Sequence, residues 1–195
     1  MPKSEQNRII RSNDGEVIYN ITVEVLDALV GGKDVTKRRL EQIDFSNRQF
    51  QLLSLRGLEF IGHQNIEDRE AVVTVSVSNN QLTTLAELIK PDGSGPLFSR
   101  VQEIFAPHNY IRNLCSTRQL PMQNLWPTKM EALVELDLSN NLLESIPDLH
   151  SMPKLRKLRL KNNAIRPPWK RLQGGKQLED VDLSFNNLDW TEKEL

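Results

Sequence analysis

Leu133-Val134-Glu135-Leu136-Asp137-Leu138-Ser139-Asn140-Asn141-Leu142-Leu143 opens a pattern that returns twice. It reappears as Leu155, Leu158, Leu160, Asn163 and Ile165, and again as Leu178, Val181, Leu183, Asn186 and Leu188. In each line the first, fourth, sixth and eleventh residues are apolar and the ninth is asparagine. The fourth and sixth positions alternate with polar neighbours, as in Leu136-Asp137-Leu138. That period of two buries one face of a short strand. The eleventh residue turns inward after the strand. The asparagine stands where the chain bends, and its amide both donates and accepts, so it can satisfy backbone groups of its own coil and the adjoining one. One coil cannot bury its apolar side alone, so coils stack around a shared core.

Three weaker lines upstream fit the same template. Leu40, Ile43, Phe45 and Phe50 form the first, with Arg48 in the asparagine place and Asn47 one short. Val72, Val75, Val77, Asn80 and Leu82 form the second, and Val101, Ile104, Ala106, Asn109 and Ile111 the third. The six lines start at Leu40, Val72, Val101, Leu133, Leu155 and Leu178. The first three intervals are longer than the last two, so the early coils carry insertions. Lys90-Pro91-Asp92-Gly93-Ser94-Gly95-Pro96 reads as a loop. Residues 53–70 hold enough Leu and Phe for a helix. Residues 115–130, with Pro121 and Pro127 around Trp126, read as a long loop.

Residues 1–39 are expected to cap the first coil, whose core would otherwise be open. Arg8 to Arg11 and Glu16 to Tyr19 read as a hairpin around Asp14-Gly15. Ile21, Val25, Leu26, Leu29 and Val30 share one helical face, ended by Gly31-Gly32. Past the last coil, Thr191 and Glu194 have capping-box spacing, so residues 189–195 read as the start of a C-terminal cap helix. That end is expected to be continued by more chain or covered by another.

This pattern is identified as that of the leucine-rich repeats, whose period is about 20 to about 29 residues. The resemblance spans residues 40–188 and is strongest from Leu133 to Leu149, including Ile146 and Leu149. The short form of the repeat seen from Leu133 onward is similar to the cytosolic class found in the leucine-rich regulatory subunit of protein phosphatase one. A weaker likeness, at Ile21-Thr22-Val23-Glu24 and Leu40 to Ser46, is to the spliceosomal A-prime protein of the U2 particle. The resemblance implies an α/β fold: a right-handed solenoid of six repeats with a parallel concave sheet and an irregular convex side. It also implies binding of other proteins without a catalytic centre.

Composition excludes several classes. Net charge is −1, so no global basic field attracts nucleic acid or membrane. No apolar run approaches the roughly 18 residues of a membrane span, and the polar start Met1-Pro2-Lys3-Ser4-Glu5 lacks a secretion signal's apolar core. Cys115 is the single cysteine, so no intrachain disulfide forms. The expected setting is intracellular, cytoplasmic or nuclear.

Candidate binding residues lie on the strand face opposite the core, at the third, fifth, seventh and eighth positions. The expected centre is Phe105 with His108, Glu103, Thr74 and Ser76, since an exposed aromatic on a sheet is a frequent anchor. Phe185 is the second aromatic there. The basic strand Arg156-Lys157-Leu158-Arg159-Leu160-Lys161 resembles a phosphate site. Its neighbours Glu135, Asp137, Asp180 and Asp182 should neutralise it across strands, with Arg159 between Asp137 and Asp182. No aromatic interleaving supports base stacking, so direct nucleic-acid binding is disfavoured. His63, His108 and His150 are scattered, and no metal, cofactor or catalytic group is expected. The reading is a protein-binding scaffold. The alternatives are an adaptor subunit of a ribonucleoprotein and a recognition domain attached to an enzyme.

Overall fold

The computed structural model describes residues 9–11, 17–20, 42–48, 52–54, 72–89, 95–117, 120–123 and 128–188. The helix read at 21–30 and the cap read at 189–195 lie outside them, as do most of the insertion at 53–70 and the loop tip at 90–94.

Near the N-terminus, β1 (Ile9–Arg11) pairs antiparallel with β2 (Val17–Asn20), in the register Ile9↔Tyr19 to Arg11↔Val17. Next in the chain come β3 (Gln42–Asp44), β4 (Leu52–Ser54), β5 (Thr74–Ser76) and β6 (Glu103–Phe105). The remaining strands are β7 (Cys115–Thr117), β8 (Leu120–Gln123), β9 (Glu135–Asp137), β10 (Lys157–Arg159) and β11 (Asp180–Asp182). β4 pairs parallel with β2, making a small three-stranded sheet.

The main sheet has six parallel strands in the order β11-β10-β9-β6-β5-β3. Its order follows the chain, as stacking of successive coils requires. Ile43, Val75, Ile104, Leu136, Leu158 and Val181 stand opposite one another in one unbroken row. The first five are buried; Val181, in the last coil, is 36% exposed. A second row, Phe45, Val77, Ala106, Leu138 and Leu160, is buried throughout. Val72, Val101, Leu133 and Leu155 enter the core before their strands, and Leu82, Ile111, Leu143 and Ile165 after them. Every second strand residue faces this core, so the other half faces outward from the concave side.

The return paths are short. Among the described residues they use 3-10 turns at Ala86–Leu88, Leu149–Ser151 and Trp169–Gly174. In so short a coil, a 3-10 turn reverses the chain in less length than an α-helix. One expectation is corrected. Residues 115–130 read as a loop, yet β7 and β8 form an antiparallel hairpin with a register irregularity between Cys115 and Thr117. A two-stranded hairpin is all edge, so Pro121 within β8 breaks no interior ladder.

Asparagines tie the coils together. Asn141 Nδ2 donates to the carbonyls of Ala106 (2.9 Å) and Leu138 (3.0 Å), and its Oδ1 accepts from the Ile111 N–H at 2.9 Å. Asn80, Asn109, Asn163 and Asn186 repeat this arrangement, each accepting from an N–H of the preceding coil. Asn80, Asn109 and Asn141 are buried, whereas Asn163 and Asn186 are half-buried because the last coils are less covered.

Candidate binding face

The register brings the third-position residues into one row: Gln42, Thr74, Glu103, Glu135, Lys157 and Asp180. The fifth-position row is Asp44, Ser76, Phe105, Asp137, Arg159 and Asp182. Together they form the floor of the concave face.

The β3–β5 end of the floor is small, polar and internally bonded. Ser46 Oγ lies 2.7 Å from Ser76 Oγ, which lies 3.1 Å from Ser78 Oγ. Thr74 Oγ1 donates to Glu103 Oε2 at 2.9 Å. Phe105 rises next to this area, half-buried, with Ser76 on one side and Asp137 on the other. Its ring is partly covered rather than fully solvent-facing.

β10 carries the cations, and two of them are engaged. Lys157 Nζ is 3.0 Å from Glu135 Oε2, and Arg159 Nη2 is 2.7 Å from Asp180 Oδ2. Arg156, before the strand, reaches Glu179 at 2.6 Å. The pairing of Arg159 departs from expectation. It stands in register with Asp137 and Asp182 but bonds the diagonal Asp180. Those two carboxylates already serve the backbone: Asp137 Oδ1 accepts from the Ser139 N–H and Asp182 Oδ1 from the Ser184 N–H. Asp44 does the same with Ser46. Hydrogen bonds from the Ser184 hydroxyl and N–H hold the Asp182 carboxyl below the usual carboxylate range, and Ser46 does so for Asp44. The signal was present in the sequence as Asp-x-Ser at 44–46, 137–139 and 182–184, a short-range turn motif.

Eighth-position residues do not share the floor. Asn47, Asn79, His108, Asn140, Asn162 and Phe185 all have positive φ, between 53° and 60°. The chain leaves the strand there, so His108 and Phe185 sit on the rim. Asn162 Nδ2 donates to Asn140 Oδ1 at 2.8 Å, and Asn140 Nδ2 lies 3.4 Å from His108 Nε2. Lys161 Nζ stands 5.2 Å from the centre of the Phe185 ring.

Six stacked coils, one parallel ladder and a ninth-position asparagine in five of them define the repeat. Residues 131–174 match the family model described as Leucine Rich repeats (2 copies). The chain carries leucine-rich repeats. No curated protein matches it, so the likenesses to the phosphatase subunit and the spliceosomal protein stand on repeat pattern alone.

Of the sequence-read site residues on this leucine-rich-repeat face, Thr74, Ser76, Glu103 and Phe105 form one contiguous floor patch across β5 and β6. His108 belongs to the rim beside it. Arg159 and Phe185 lie two and three strands away from Phe105. Among the described residues no three His, Cys, Asp or Glu side chains converge as a metal site, and no helix is long and apolar enough to cross a membrane.

Proposed function

We propose that this leucine-rich-repeat face is a non-enzymatic platform that holds a protein partner on its concave side, centred on Phe105. The observation that carries this is the half-buried ring. It is the one aromatic on the floor among the described residues, and it borders a shallow surface of hydroxyls that satisfy one another. A partner side chain set against that ring gains apolar contact without stripping unpaired polar groups of water. Engagement of Lys157 and Arg159 by carboxylates favours a protein over nucleic acid. The single Cys115 supports an intracellular setting.

The test uses the parent chain and Phe105→Ala as parallel baits, with quantitative mass spectrometry of what each retains. The protein depleted on the variant is then titrated by calorimetry. Phe105→Ala should weaken it by more than about 1 kcal/mol. Equal affinity for both chains would remove Phe105 as the centre.

A further inference from the structure

Among the described residues four large apolar side chains are exposed: Tyr110 (54%), Leu142 (38%), Val181 (36%) and Phe185 (74%). Val181 ends the core row. The other three belong to the rim beyond the strands. Tyr110 and Leu142 hold the tenth position of neighbouring coils. Their N–H groups bond the carbonyls of Leu82 and Ile111, and that of Ala164 bonds Leu143. The rim therefore climbs in step with the sheet, about 4.8 Å per coil.

Phe185 is the more telling residue. Its eighth position is left-handed in every coil, and four of the six occupants are asparagine, a residue that tolerates that backbone. A phenylalanine there is strained, and its ring lies mostly in solvent, so the core gains little from it. Strain kept for so small a local return, the contact with Lys161, marks a place of use. Lys161 beside the ring, with Arg112 and Arg166 further along, sets three cations on the rim against Glu144 and against Asp182 of the floor, which lies within the field of Lys161. Lys161, Arg112, Arg166 and Glu144 are exposed, and none has a close ion pair among the described residues.

We infer that this rim is a second docking surface, separate from the Phe105 floor, and that its occupant is an acidic amphipathic helix of a partner protein. From the coil of Tyr110 to that of Phe185 is three steps, about 14 Å. That is the length of roughly ten helical residues at about 1.5 Å rise. Tyr110, Leu142 and Phe185 meet the apolar stripe. Ala164, smaller than its neighbours, leaves a notch for one side chain. Carboxylates flanking the stripe meet Arg112, Lys161 and Arg166.

A displayed random peptide library, selected on the full chain, tests this. The counter-target is the triple variant Tyr110→Ser, Leu142→Ser, Phe185→Asn. Its three changes are at exposed side chains, and asparagine suits the left-handed backbone, so its thermal melt should match the parent's or exceed it. Enriched peptides should carry net negative charge and apolar residues near i, i+3, i+7 and i+10, one for each coil crossed. Synthesised singly, they should lose at least about tenfold in affinity on the triple variant and bind Phe105→Ala as they bind the parent. The inference is overturned by no enrichment, by basic or non-helical winners, or by winners indifferent to the triple variant. It is equally overturned by winners lost on Phe105→Ala, which would belong to the floor. A parent that dimerises in sedimentation through residues the triple variant removes would show a second copy as the occupant instead.

Discussion

Replacement of Asn141 by alanine should be among the most damaging single changes in the protein. The side chain is 5% exposed and makes three short bonds to backbone: from the Ile111 N–H, and to the carbonyls of Ala106 and Leu138. Alanine leaves the buried Ile111 N–H without its acceptor and takes one of two donors from each carbonyl, since Asn109 Nδ2 still reaches Ala106 and Asn163 Nδ2 still reaches Leu138. A buried polar group left unmade costs about 1–3 kcal/mol. That full cost falls on the N–H, and each carbonyl loses one bond worth about 0.5–1.5 kcal/mol; with some relaxation a total loss of about 2–4 kcal/mol is expected. For a chain of this size, about 1 kcal/mol moves the melting temperature by about 2–4 °C, so the drop should be roughly 4–16 °C. Asn163→Ala is the internal control. It makes the same bonds from a half-buried site. Water can replace part of what is lost there, so the drop should be clearly smaller. The assay is a thermal melt of both variants, with hydrogen exchange at the Ile111 amide. Equal melts for parent and Asn141→Ala, or a larger loss for Asn163→Ala, would refute the reasoning.

Other outcomes follow from the same geometry. Phe185→Asn should raise stability by about 0.5–1 kcal/mol, since left-handed backbone disfavours the ring; a lower melt would mean that the ring is packed. Arg159→Ala should change the unfolding free energy read from urea denaturation by no more than about 1 kcal/mol, because its bond to Asp180 is partly open to water. Steep salt-dependent RNA binding lost on Arg159→Glu would overturn the preference for a protein partner. For Asp182, whose folded pKa is depressed, stability is present above the unfolded value of about 3.9 and is lost as pH falls through the folded one. Asp182→Asn should therefore lose less melting temperature than the parent between about pH 5 and pH 2, and identical slopes would show no linkage. Gly175→Ala would set its methyl against Leu178 Cδ1, 2.7 Å from Leu178 Cγ and 2.9 Å from Leu149 Cδ1. It should cost about 1–3 kcal/mol by overpacking, read from urea denaturation.

The fold was legible because burial imposes it. A residue facing the shared core has one acceptable chemistry, so Leu136, Leu158 and Ile104 announce the register even where coil lengths differ. The buried asparagines are equally constrained. Surface choices are looser, and there the sequence said less. Arg159 was placed between two aspartates, but both act as caps for serine N–H groups and a third carboxylate takes the guanidinium. His108 and Phe185 were placed on the floor because counting along a strand does not show where the strand ends; that depends on a change of sign in φ. Pro121 and Pro127 argued for a loop; Pro127 lies outside the described residues, and Pro121 falls in β8 of a two-stranded hairpin, where both strands are edges and proline is tolerated.

The asparagine ladder has a direction. Each amide completes the coil before it, as Asn186 completes the Ile165 N–H and Asn163 that of Leu143. Melting of the last coil would thus orphan a donor in the fifth, whose loosening would do the same to the fourth. Along this ladder disorder entering at the C-terminal side is handed backwards one rung at a time, whereas loss of the first coil leaves every later N–H that an asparagine holds with its acceptor. The ladder thus has a guarded end and a vulnerable one, and whatever settles on the sixth coil would steady the rungs beneath it.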